Sequence, residues 1–265
     1  MAHGFLNLST MKNYVRYFLL FGIVFFADGQ STVVEYHNSK KNEDQHYQSF
    51  LIIEDGRSYC LDIFHKTFNS YDDLLADKDF VENKKYLSSI EKDALGSDIY
   101  YGIASIPGAG RILYKDHVPK IDWLISSSED RILGYPCKQA IGFFRGRTYR
   151  VWFTTEIPLP EGPWKIGNLP GLVLKVVVDD GFFTFEAVKI SVKPVDVLIP
   201  QKYTDVYRDA ATKNVPYQEY IKAENKAFEQ IREQQISNLP KGVVLTDIPP
   251  IRTTFIEKDF EWDQQ

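Results

Sequence analysis

The chain has 265 residues, 44% hydrophobic and 14% aromatic, with a formal net charge of −5. That length fits one large domain or two small ones with a sizeable core. The sixteen Tyr and eighteen Phe favour β structure, because aromatics suit a pleated, half-buried surface. There is no basic tract and no basic helix interleaved with aromatics, which argues against a nucleic-acid partner.

The N-terminus reads as a targeting segment. Lys12 and Arg16 precede an apolar run at 17–26, and Ala27-Asp28-Gly29 places small residues ahead of Gln30. The run is too short to span a bilayer. The pattern predicts a signal peptide within 1–29, cleaved at Gly29/Gln30, a single domain over 30–265 and no transmembrane span after cleavage. No Cys follows the apolar run closely, so a lipoprotein anchor is not expected. Met11 offers a second start directly before the basic residues, and the choice between Met1 and Met11 stays open.

A first strand is expected at 33–36, followed by an exposed polar loop. Apolar runs at 50–53 and 58–64 flank Glu54-Asp55-Gly56-Arg57, a hairpin signal. Residues 71–94 are charged and carry Leu74, Leu75, Val81, Leu87 and Ile90 on a loose helical period, which predicts a helical or irregular surface insertion. Strands are expected at 111–114, 122–126, 138–144 and 148–154, with Arg145-Gly146-Arg147 joining the last two. Runs at 172–178 and 182–188 are joined by Asp179-Asp180-Gly181 as a hairpin, and Lys175 marks the wetter face of the first. A strand follows at 190–199, where Pro194 points to an edge or a bulge. Pro216 opens a helix through about 236, with Tyr217, Tyr220, Ile221, Ala227, Phe228 and Ile231 as an amphipathic stripe for packing on the sheet. A last β-like run covers 252–256, before an acidic end with Trp262.

Cys60 and Cys137 are the two cysteines. Two readings stay open: a disulfide in an oxidising compartment, or two separate buried thiols. No finger-like spacing, HExxH or His pair is present, so no metal and no cofactor are implied. GxSxG, P-loop and GxGxxG motifs are absent too. Asp179 and Asp180 are explained by their turn, without calcium.

The most informative stretch is Gly162-Pro163-Trp164-Lys165, followed by Leu169-Pro170-Gly171-Leu172. Pro170-Gly171 suits the central positions of a type II turn. With Trp123, Ile125, the 132–140 run, Phe144 to Tyr149, Trp152-Phe153-Thr154 and Glu156-Ile157-Pro158, this stretch resembles the GLPGLI family of secreted proteins from Bacteroidetes-type, Gram-negative bacteria. The match runs from about 123 to 186. Asn168 stands where the family has Gly and Val173 where it has Ile, and Asn tolerates the left-handed conformation such a turn demands. The resemblance implies an exported, periplasmic or secreted cell-envelope protein and supplies no reaction.

Candidate site residues are few. Arg145 and Arg147 could form a carboxylate or anion clamp, or be a solvated turn, or make an ion pair with Glu156 or Asp179. Tyr149, Trp152 and Trp164 are candidates for lining an apolar cleft, or are core. Glu156, held extended ahead of Ile157-Pro158, is the one candidate catalytic carboxylate. The expected fold is mainly β: a curved antiparallel sheet or half-barrel with a C-terminal α-helix packed on it. The half-barrel follows from similarity to periplasmic lipoprotein-sorting domains, whose concave face holds acyl chains or peptides. The expected function is non-enzymatic binding of an apolar small molecule or an envelope protein partner. The alternative is a secreted hydrolase using Glu156 with Arg145 or Arg147.

Overall fold

The structure, a computed structural model, describes residues 30–41, 46–54, 57–63, 67–77, 87–92, 98–194, 214–240 and 248–264. The expected signal segment, its cleavage site and the 195–199 end of the predicted strand lie outside them.

Among the described residues, twelve strands form one sheet. They are β1 (Gln30–Lys40), β2 (His46–Glu54), β3 (Arg57–Ile63), β4 (Leu87–Lys92), β5 (Asp98–Ile106), β6 (Gly110–Val118), β7 (Leu124–Ile132), β8 (Tyr135–Phe144), β9 (Arg147–Thr154), β10 (Leu172–Val178), β11 (Phe183–Pro194) and β12 (Val215–Pro216). The order across the sheet is β12-β6-β5-β4-β3-β2-β1-β11-β10-β9-β8-β7. Every pairing is antiparallel except the short β12–β6 contact.

The sheet is strongly curved. The turn between β8 and β9 is at least eight inter-strand steps from β6, about 40 Å in a flat sheet. Yet Arg145 in that turn touches Asp116 of β6 at 2.6 Å. The two halves therefore face each other across a concave surface, as expected for a half-barrel. The loop between β9 and β10 enters this concavity. Its Ile166 and Leu169 join a core with Val34 and Tyr36 of β1, Leu51 of β2, Tyr149 and Val151 of β9 and Val176 of β10. On the opposite face of β1 to β3, helix α1 (Tyr71–Ala76) covers Val33, Phe50, Ile52 and Leu61 with Tyr71 and Leu74. Ser70 caps that helix by accepting from the Asp73 amide at 3.1 Å.

Helix α2 (Tyr217–Ser237) packs beside β5 and β6, burying Tyr217, Tyr220, Ile221 and Ala227 with Ile106 and Phe260. The expected C-terminal helix and its stripe are thus in place. Pro216 precedes its first turn, where a missing N–H costs nothing.

Several local expectations are corrected. The first strand runs on to Lys40, because Asn38 and Lys40 sit on the same face as Tyr36 and point into the concavity rather than into a loop. Within 71–94, the described residues hold a helix of only six residues and then strand β4, whose edges pair with β3 and β5. The bulge in β11 falls opposite Glu35/Tyr36, at Val188, and Pro194 merely closes the strand. The expected 252–256 strand is instead a short 3-10 turn at 251–254, whereas the hairpin across 179–181 forms as expected, through a 3-10 turn that joins the paired β10 and β11. Pro170-Gly171 does not form a type II turn, since Gly171 has no positive φ. Its amide instead bonds to the Leu169 carbonyl at 2.8 Å, a three-residue turn. Glycine is required there for space: a Cβ would lie 2.0 Å from the Thr154 carbonyl oxygen.

Candidate functional site

The inner loop is held at both its turns. Asn168 adopts φ 62°, as expected of a residue tolerant of the left-handed region, and its side-chain amide donates to Asp98. The Trp123 indole N–H donates to the Gly167 carbonyl at 3.0 Å, and the Trp164 amide to the Cys60 sulfur at 3.2 Å. The Tyr36 hydroxyl donates to the Val173 carbonyl at 2.6 Å. Trp164 itself stacks on Tyr149 and meets Phe144 edge-on.

Beside Trp164, the concavity closes on a charged cluster. Arg145, 5% exposed, and Lys165, 3% exposed, lie at its centre. The Arg145 guanidinium donates two bonds to the Asp116 carboxylate, at 2.6 and 2.9 Å. It gives another to Glu257 at 2.6 Å and reaches Glu261 at 3.0 Å. The Lys165 ammonium contacts Asp116 at 2.7 Å and both Glu257 oxygens at 3.0 and 3.1 Å. The Tyr217 hydroxyl donates to Glu257 as well, and the Tyr217 ring lies 4.0 Å from the lysine nitrogen. Burial by itself would raise the Asp116 carboxyl, but the Lys165 charge and the Arg145 hydrogen bonds outweigh it and hold its pKa below the usual value. Burial works against the Arg145 charge too, and the paired carboxylates overcome it and raise its pKa. Tyr217 is pushed well up, by burial first and by Glu257 second, so it remains a phenol. The cluster ties β6, the β8–β9 turn, the inner loop, α2 and the C-terminal segment into one body.

Arg147 clamps the same C-terminal segment. It donates to the carbonyls of Phe255 and Thr253, at 2.9 and 2.8 Å, and to Asp179 at 2.6 Å, and its guanidinium lies 3.7 Å over the Phe182 ring. The Tyr149 hydroxyl adds a bond to the Ile256 carbonyl at 3.2 Å. The solvated-turn reading of Arg145 and Arg147 is therefore corrected, since both are buried, while the expected ion pair to Asp179 is made by Arg147; Arg147 shares the inner face of β9 with Tyr149 and Val151.

The remaining candidates do not converge. Trp152 is on the outer face of β9, opposite in parity to Tyr149 and Val151, and takes Lys175 over its ring. Glu156 is exposed just past β9, and its amide bonds to the Thr154 hydroxyl. Arg145 and Arg147 take other carboxylates, so the proposed Glu156 pairing is not what the structure builds. The disulfide reading is corrected as well. Cys60 on β3 and Cys137 on β8 are buried thiols with five strands between theirs in the sheet order. Burial raises both thiol pKa values.

At the other end of the concave face, the inner loop leaves a cavity of about 330 Å³. Trp164, Phe182, Phe185 and Phe255 line it, with Asn38 and Asp62 as polar members. The register explains the grouping: Asn38 of β1 stands opposite Phe185 of β11 and Tyr47 of β2, so all three share the inner face. Burial pushes the Asp62 carboxyl up to about 6. Sequence reasoning missed Asn38, Asp62, Asp116, Lys165 and Glu257. The alternation Tyr36, Asn38, Lys40 was the available signal for the first of these. Among the described residues, no group of three or more His, Cys, Asp or Glu is placed to hold a metal ion, and no helix is long and apolar enough to cross a membrane.

Residues 74–218 match the family model described as N-glycanase peptide, N-terminal domain. Among solved structures, PNGF-II is similar at 21% identity and TM-score 0.48, covering 75% of this chain and 34% of that one. The chain thus spans about a third of the length of PNGF-II. MucB in complex with MucA(peri) is similar at 9% identity and TM-score 0.31, over 66% of this chain and 53% of that chain. The Pseudomonas aeruginosa MucA/MucB complex gives 9% identity and TM-score 0.30, over 66% and 56%. No curated protein matches the chain.

Proposed function

The chain belongs to the N-glycanase peptide, N-terminal domain family, and we propose that it is an exported, non-enzymatic binding module for an apolar ligand or an envelope protein partner. One observation carries this reading. The side chains that converge as a catalytic site would require, Arg145, Lys165, Asp116, Glu257 and Tyr217, are buried and bonded to one another. A general acid or base must reach a substrate proton, and these groups are spent on holding the fold.

The purified protein is expected to release no product from chromogenic ester and glycoside substrates, nor glycan from denatured N-glycosylated protein. Turnover that Glu156→Gln abolishes would overturn the reading in favour of the hydrolase. Export predicts that the protein recovered from the periplasm or medium begins at Gln30. Family membership favours a second reading, in which the domain serves an enzyme acting on N-glycosylated protein by engaging that substrate. It predicts retention of an N-glycosylated protein and not of its deglycosylated form.

A further inference from the structure

The open end of the concave face has the chemistry of a ligand site. Among the described residues, four buried side-chain atoms lack a hydrogen-bond partner: Ser31 Oγ, Asn38 Oδ1, Asp98 Oδ1 and Ser191 Oγ. Of these residues, Asn38 lines the aromatic cavity. It is 3% exposed, and its amide nitrogen already donates to the Ser49 hydroxyl at 2.8 Å, which leaves the carbonyl oxygen as an acceptor. An unmet buried acceptor is costly, and a donor supplied by a ligand would satisfy it.

We propose that this cavity binds a neutral, mostly apolar ring compound carrying a single N–H or O–H donor, with the ring against Trp164, Phe182, Phe185 and Phe255 and the donor on Asn38. The volume, about 330 Å³, is at the small end of ligand pockets and suits one or two fused rings. The polar lining is sparse. A pyranose carries a hydroxyl on nearly every ring carbon, and each would need a partner on burial, whereas five of the ten wall residues are Trp or Phe and the polar side chains among them are Asn38, Lys40, Tyr47 and Asp62. The wall formed by the C-terminal segment is fixed in place by Arg147 and Tyr149 through the Phe255 and Ile256 carbonyls, so the site is largely preformed.

This inference rests on the reading of the protein as a binding module and names its site. Its test is calorimetric titration of the full chain with indole and with 1-methylindole, which has the same ring system and no donor. Indole is expected to bind, and 1-methylindole about fivefold more weakly, the share of one net hydrogen bond. Asn38→Ala should bring the two probes to equal affinity, and Phe185→Ala should weaken both. Absence of indole binding up to millimolar concentration would overturn the proposal. So would equal binding of the two probes to the unaltered protein, a comparison that stands even if Asn38→Ala fails to fold. An unchanged affinity in a folded Phe185→Ala variant would also overturn it. Failure here leaves the non-enzymatic reading intact, since that depends on turnover assays alone.

Discussion

The two ends of the concave face differ in how their polar groups are satisfied. At one end, Arg145 and Lys165 meet Asp116, Glu257 and Glu261, and each bond is returned by a partner inside the fold. At the other end, Asn38 keeps an unmet carbonyl and Asp62 a desolvated carboxyl within aromatic walls. Trp164 stands between them, stacked on Tyr149 and lining the cavity. A closed charge network stabilises and has no capacity left for substrate. The aromatic cavity keeps one buried acceptor that no group of the fold satisfies.

The largest effects should come from the closed end. Arg145→Met leaves Asp116 and Glu257 buried with Lys165 as the one cation between them, and loss of one partner from a buried network costs about 3–5 kcal/mol. Urea unfolding should show that loss, and a change under about 1 kcal/mol would contradict a structural role. Trp164→Ala should cost about 3 kcal/mol and enlarge the cavity, so that indole binding and stability fall together. Gly171→Ala should cost on the order of 2 kcal/mol, because the added methyl meets the Thr154 carbonyl. Asn168→Gly, which keeps the positive φ accessible and loses only the bond to Asp98, should cost about 1 kcal/mol.

The effect at the open end depends on pH. Asp62 titrates near 6 in the folded protein against a usual 3.8. Between about pH 4 and 6 the folded state therefore binds more protons than the unfolded state. Stability from this group falls as pH rises through that window and levels off above it. Asp62→Asn should flatten the slope of the urea midpoint against pH between 4 and 6. Asp116 acts in the opposite sense: its lowered pKa gives stability that is present above about pH 4 and lost on further acidification.

Much of the fold was legible because local patterns agreed with it. The aromatic-rich alternation, the Arg145-Gly146-Arg147 turn, the 217–231 stripe and Asn168 each carry a local backbone requirement that the structure meets. Strand β4 was hidden because a short polar segment between two partners draws its stability from pairing rather than from periodicity. The charged cluster was hidden for a different reason. Asp116, Lys165 and Glu257 are far apart in the chain and meet only because the sheet curls. Arg145 does bind carboxylates, one of the readings open to it, but those carboxylates belong to the protein itself. Gly171 was noticed for its conformational freedom, and what fixes it is a close backbone approach.

A small ligand should perturb one end of the concave face and leave the other unmoved. Backbone and indole NMR shifts recorded during an indole titration read both ends of the concave face at once. Changes confined to Asn38, Phe185, Phe255 and the Trp164 side chain, with Asp116 and Glu257 unmoved, are the predicted result. Changes centred on Asp116, Lys165 and Glu257, with Asn38 and Phe185 silent, would contradict it.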